Sequence, residues 1–323
     1  MWQVSTSGAN GGKPVALKEI DIGTLEEDEE ALEMLEAEVL ALRRAAGSPH
    51  VVALHEVVQA TDAVFLAMER VPGRELFELV EERGALDLAL VRSLTRQLCT
   101  ALAALAQLGV VHRDVKPENL MITEEEGGTS RLTLIDFGYA ALLGSADGSG
   151  SGGATAEGEG LLSGVAGSPE YAAPEVLSWL EVEADETGTI EGEWYDAGCD
   201  VWSVGVTVHV LLSAELPFEM PEEGDEADIV AAARNMTLDF RKRDWQAEAM
   251  APAKAFVRAC MVPTRADRPS ASDLLEHAWL SNGTNAPAPA KVNAAFVEML
   301  DETAAIERGE KLPPVPPVAT AQA

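Results

Sequence analysis

The chain has 323 residues, 47% of them hydrophobic and 24% charged, enough for a sizeable core in one large domain or two lobes. Twenty-three Lys and Arg against 55 Asp and Glu leave a net charge of −32. That balance disfavours nucleic acid and membrane surfaces as partners and favours basic peptides. Three scattered cysteines, Cys99, Cys199 and Cys260, exclude a disulfide framework or a C-x-x-C zinc knuckle. They fit a reducing compartment, the cytoplasm, with the nucleus left open. The opening MWQVSTSGANGG has neither the basic nor the apolar region of a signal peptide.

In chain order, Gly11-Gly12 marks a turn and Val15-Ala16-Leu17-Lys18 a short strand. Thr24 and Glu27 have the spacing of a capping box. They predict one helix with an apolar stripe of Ala31, Leu32, Leu35, Val39 and Leu42, closed by Arg43, Arg44 and Gly47. Residues 51–58 and 63–68 read as strands, and Val71-Pro72-Gly73 as a hinge. Leu90, Leu94, Leu98, Leu102 and Leu105 then follow helical spacing up to Gly109. The apolar run 201–212 is too short for a membrane span of roughly 20 residues and reads as a buried helix that Asp200 caps. Residues 144–160, rich in Gly, Ser and Ala, and the Asn/Ala/Pro stretch 281–290 read as unstructured. Val292, Phe296, Met299, Leu300 and Ile306 predict a last amphipathic helix before a Pro-rich end. Strands in front and helices behind make an α+β chain of two lobes.

The chemistry concentrates in three segments. His112-Arg113-Asp114-Val115-Lys116-Pro117-Glu118-Asn119 comes first, then Asp136-Phe137-Gly138, then Gly167-Ser168-Pro169-Glu170-Tyr171-Ala172-Ala173-Pro174-Glu175. Phosphoryl transfer asks little covalent chemistry of a protein. It needs a carboxylate to orient a hydroxyl, ligands for magnesium and a lysine on the phosphates. These segments supply such groups in that order.

With HRDVKPEN, DFG and APE in sequence, residues 1–281 resemble the eukaryotic protein kinase family. The resemblance implies a bilobal fold: a small, mostly-β N-lobe over residues 1–72, lacking its first strand, a larger helical C-lobe over 73–281, and a tail over 282–323. It implies ATP and Mg2+ as cofactors. Lys18 would hold the α- and β-phosphates and pair with Glu38. Asp114 would accept the proton of the substrate hydroxyl, with Lys116 beside the γ-phosphate. Asn119 and Asp136 would ligate magnesium. Met68 falls at the gatekeeper, residues 69–71 (Glu69 to Val71) at the adenine-binding hinge, and Ala16 and Met121 above and below the adenine. Asp200 would brace the catalytic loop, and Arg268 would pair with Glu175.

Lys116 marks the serine/threonine type, and Val-Pro-Gly-Arg-Glu-Leu-Phe, Leu216-Pro217-Phe218 and His277-Ala278-Trp279-Leu280 look most like the calcium/calmodulin-dependent kinase group. In that group Glu75 and Glu118 line the site for a basic residue upstream of the target, which makes protein substrates with basic flanks the expected partners. Ser168 would contact Asp114 and Lys116. Arg113 belongs to a type that pairs with a phosphate on the activation loop. Ser163 is the weak match for that phosphosite, one residue off the usual place, at Gly164.

Two departures stand out. The family's Gly-rich loop ends on the order of 17 residues before its strand lysine, which here falls at Met1. Gly8, Gly11 and Gly12 fit the next turn instead. This keeps open a pseudokinase-type binding module beside the expected enzyme. Residues 183–190 resemble part of a calcium-binding loop, yet Glu183 opens it and Trp194 holds its last ligand position, so an acidic insertion is expected. The tail helix is acidic, carrying Glu298, Asp301, Glu302, Glu307 and Glu310, whereas calmodulin targets are basic; calmodulin is not an expected partner.

Overall fold

The computed structural model describes residues 2–5, 14–125, 128–144, 161–181, 193–219, 221, 226–241 and 243–281. Gly8, Gly11 and Gly12, residues 145–160, the calcium-loop-like stretch 183–190 and the tail helix lie outside the described residues.

A four-stranded antiparallel sheet forms the front of the molecule, in the order β1-β2-β4-β3. Its strands are β1 (Trp2–Ser5), β2 (Val15–Asp21), β3 (Leu54–Gln59) and β4 (Ala63–Glu69). The register sets Lys18 opposite Leu66 and Ala16 opposite Met68, so Lys18 and Met68 share one stretch of sheet. The predicted strand 51–58 starts only at Leu54. Val51 instead bridges in parallel to Leu134, and the Val52 N–H donates to the Leu134 carbonyl at 3.0 Å. The backbone there pairs with the rear lobe rather than with the sheet.

Where the sequence predicts one helix, the chain forms two, α1 (Ile22–Glu27) and α2 (Glu29–Arg44). Asp21 accepts from the Thr24 N–H and caps α1; Asp28, in extended conformation, accepts from Glu30 and Ala31 and starts α2. Thr24 is therefore a capped residue and not a cap. Glu29 and Glu30 in the first turn of α2, with Arg43 and Arg44 in the last, suit the helix dipole. The fully buried residues of α2 are Ala37, Glu38, Ala41 and Leu42; of the predicted stripe Leu42 is buried, Leu35 and Val39 pack against the core, and Leu32 is 40% exposed. Two alanines on the inner face let the helix seat closely while Glu38 points inward.

Behind the hinge come β5 (Arg74–Glu75), α3 (Leu76–Arg83) and α4 (Leu88–Gln107). By length and composition α4 passes for a membrane span, but more than half of it is buried, and it packs on the later helices. Leu94, Leu98, Leu102 and Leu105 face the core as their spacing predicts. Next follow β6 (Val110–Val111), β7 (Leu120–Glu124), β8 (Ser130–Leu134), β9 (Ala141–Leu142) and α5 (Pro174–Leu177). The strands form two small antiparallel sheets, β5-β7-β8 and β6-β9. Helix α6 (Gly198–Ser213) runs through the rear core, buried from Cys199 to Ser213. Its cap is Ala197, not Asp200 as predicted; the Asp200 carboxylate is turned inward to other work. Helices α7 (Glu226–Arg234), α8 (Ala251–Cys260), α9 (Ala271–Leu275) and α10 (Ala278–Ser281) complete the described chain.

Candidate active site

Between the lobes, three residues distant in sequence converge. The Lys18 ammonium donates to both Glu38 oxygens, at 2.7 and 2.8 Å, and to Asp136 Oδ1 at 3.2 Å. Strand β2 presents the lysine and α2 the glutamate, so the pair exists only while the helix is docked on the sheet. Burial pushes the Lys18 pKa down, but Glu38 and Asp136 outweigh it and hold the amine charged, above its usual range. Burial likewise pushes Asp136 up, and Lys18 with the Gly138 N–H more than offsets it, so the carboxyl sits below the usual range.

The catalytic loop is built on Asp200. Its two oxygens accept from the backbone N–H of His112 (2.9 Å) and Arg113 (2.8 Å). A capping role would have spent that carboxylate locally; instead α6 holds the loop across the core. Asp114 is almost fully enclosed. Its Oδ1 accepts from the N–H and the hydroxyl of Ser168, both at 3.0 Å, and its Oδ2 from Asn119 Nδ2 at 2.8 Å. The Lys116 ammonium lies 3.0 Å from Asp114 Oδ2 and donates to Ser168 Oγ at 2.6 Å. Gly167 makes this contact possible. Its φ is +76°, and a Cβ there would lie 2.2 Å from the Arg113 carbonyl oxygen.

Asn119 spends its amide hydrogens on the carbonyl and the carboxylate of Asp114, leaving the amide oxygen as acceptor. The Asp136 side chain remains 40% exposed. One carboxylate and one amide oxygen are hard donors that suit Mg2+, which takes one or two protein ligands and completes its shell with phosphates and water. Among the described residues no cluster of three His, Cys, Asp or Glu could cage a metal alone, in keeping with that donor set. Ala16 faces Met68 across the sheet, Met121 pairs with Glu75 in the small sheet behind, and both Ala16 and Met121 are half-buried. Strand β4 ends at Glu69, whose N–H is bound to the Ala53 carbonyl, and Val71 follows outside the ladder.

An acidic patch adjoins this cleft. Glu75 begins α3 without using its carboxylate as a cap. Partial burial and the nearby carboxylates of Glu78 and Glu118 push its pKa up. Glu118 Oε2 is buried with no hydrogen-bond partner among the described residues. Glu175 and Arg268 form a buried pair at 2.6 and 3.0 Å.

Ser163 is placed inside the molecule, 2% exposed, rather than on an open loop. Arg113 reaches other partners: its Nε donates to the Tyr139 carbonyl at 2.6 Å and its Nη1 to the Tyr195 hydroxyl at 3.1 Å. Tyr195 is the residue that reading the sequence misses. No motif marks it, and only its position five residues before Asp200 ties it to the catalytic loop.

The model of the protein kinase domain matches residues 4–280. The chain is 33% identical over 249 residues to the serine/threonine-protein kinase PEPKR2 of Arabidopsis thaliana, covering 77% of this chain and 45% of that one. It is 32% identical to the putative CBL-interacting protein kinase 27 of Oryza sativa subsp. japonica, over 86% of this chain and 60% of that one. It is 30% identical to a calcium/calmodulin-dependent protein kinase type 1 of Macrobrachium nipponense, over 91% of this chain and 74% of that one. The chain thus spans about half the length of the first two of these relatives. With the fold, the ordered motifs and the matched span in agreement, the chain belongs to the protein kinase family.

Proposed function

We propose that the protein transfers the γ-phosphoryl group of ATP to serine or threonine hydroxyls of proteins, with basic residues upstream of the target. The observation that carries this is the joined state of the site. Lys18 is paired with Glu38 and in contact with Asp136, while Asp114, Lys116, Asn119 and Ser168 form one hydrogen-bonded set. A binding module has no need of both at once.

In this reading Lys18 holds the α- and β-phosphates, and the hinge backbone at Glu69 and Val71 takes adenine between Ala16 and Met121, with Met68 closing the back. Asp136 and Asn119 would hold Mg2+, which when bound neutralises charge on the phosphates. Asp114 orients the incoming hydroxyl and receives its proton as the new P–O bond forms and the bond to the bridging oxygen breaks. Lys116 steadies charge on the group in transit. Glu75 and Glu118 supply carboxylates for a basic side chain of the peptide, supported by the unpartnered Glu118 oxygen and by the net charge of −32.

The test is transfer from labelled ATP to a peptide array, with Mg2+. Peptides with Arg three residues before Ser or Thr are expected to lead. Their advantage should shrink with added salt, since exposed charges are screened over about 8 Å at physiological ionic strength. A preference for acidic flanks would overturn the substrate reading; nucleotide binding with no transfer to any peptide would overturn the enzymatic one.

A further inference from the structure

Tyr195 lies just before α6 and is fully buried. Its backbone makes an antiparallel bridge with Leu162, in the activation segment that runs from Asp136 to Glu175. The Leu162 N–H donates to the Tyr195 carbonyl at 2.7 Å, and the Tyr195 N–H returns to the Leu162 carbonyl at 2.9 Å. The hydroxyl works in both directions. Its oxygen accepts from Arg113 Nη1 at 3.1 Å, and its hydrogen points to the carbonyls of Gly164 (2.9 Å) and Ser163 (3.2 Å). One phenol therefore joins the residue before Asp114 to the backbone of the segment that carries Ser168.

Arg113 is held in a demanding backbone geometry. It sits at φ +65°, a conformation disfavoured for a side-chain-bearing residue and held by its surroundings. The Tyr139 carbonyl takes Nε, and the phenol takes Nη1. Burial pushes the Tyr195 pKa up to about 12, so the hydroxyl keeps its proton and can donate as well as accept. Ser163, the expected phosphosite for this arginine, is enclosed at 2% exposure, and a phosphate there would have to be buried with its charge.

We infer that Tyr195 is a positioning residue: its hydroxyl couples Arg113 to the backbone of Ser163 and Gly164 and holds the run from Leu162 to Ser168 in place beside Asp114 without phosphorylation. The inference rests on the kinase activity proposed above. Tyr195 acts through Arg113 on Asp114, and through Gly164 on the run leading to Gly167 and Ser168.

The test uses the full chain, treated with phosphatase and mapped for residual phosphate. The treated wild type and Ser163→Ala should keep activity within about twofold. Tyr195→Phe removes one oxygen and should lower kcat and raise the peptide KM, together about tenfold in kcat/KM, the scale of a hydrogen bond to a charged group. The KM for ATP should barely move, and the thermal midpoint should fall by only a few degrees, too little to unfold the variant at assay temperature, so the loss of turnover is more than a merely structural role would predict. Amide exchange over residues 162–168 should quicken. Arg113→Lys should share the loss, and the double variant should be no worse than the poorer single one. Loss of activity on phosphatase treatment or in Ser163→Ala, or unchanged kcat and exchange in Tyr195→Phe, or additive effects in the double variant, would overturn the inference. If even the wild type transfers no phosphate, the kinase reading fails by itself, and the exchange measurement still decides whether Tyr195 holds the segment.

Discussion

Asp114 and Asp136 share a chemical type and differ in surroundings. Asp136 contacts one lysine and one backbone N–H and stays partly open; Asp114 is enclosed by Ser168, Asn119 and Lys116. Asp136→Asn should leave the fold intact and abolish transfer, since in the proposed function it removes the charged donor that would hold Mg2+. Asp114→Asn should lower kcat by about 10²–10⁴, the usual worth of a positioned base, with nucleotide binding kept. Single-turnover transfer and nucleotide titration on both variants separate these outcomes, and normal turnover in either would remove its assigned role.

At the scale of the element, α6 carries the site on a packed rod. Its Asp200 reaches the catalytic loop, and its opposite face lies against α8. Gly205 permits that approach: a Cβ there would sit 2.6 Å from Met261 Cγ and 2.7 Å from Cys260 Cβ. Gly205→Ala should therefore cost about 1–3 kcal/mol of stability, the range for overpacking a filled core, despite the better helix propensity of alanine. Denaturant unfolding reads this directly. An unchanged or raised midpoint would mean that α8 can yield.

For the molecule as a whole, the histidines should lower stability in mild acid. His209 is buried in α6, with Nε2 2.8 Å from the Asp239 carbonyl, Nδ1 3.0 Å from the Glu215 carbonyl, and its ring stacked on Trp245. Burial pushes its pKa down, and burial does the same to His50 and His277. A histidine whose folded pKa lies below the unfolded value gives its full stabilisation above about pH 6.5 and loses it as pH falls toward the folded pKa. The histidine share of the urea midpoint should accordingly drop between pH 7.5 and 5.5, against the opposite pull of Glu75, whose raised carboxyl pKa adds stability as pH falls. The drop should be smaller in His209→Gln, whatever that variant costs at neutral pH. Equal drops would mean that His209 is not among the groups responsible.

The family and the two-lobed α+β plan were legible in the linear chain, because the spacing of His112 to Asn119, Asp136 to Gly138 and Gly167 to Glu175 lies there. Local patterns also sufficed for α4 and α6, whose apolar spacing or length commits them to the core. Tertiary structure decided the rest. Whether Asp28 breaks a helix, whether Asp200 caps its own helix or grips a distant loop, and which face of α2 turns inward all depend on partners far away in sequence. The enclosure of Ser163 and the phenol joining Arg113 to the activation segment depend on a bridge between Leu162 and Tyr195, 33 residues apart in sequence. Such a bond leaves no periodicity or motif behind, because its geometry is set by where α6 and the catalytic loop meet.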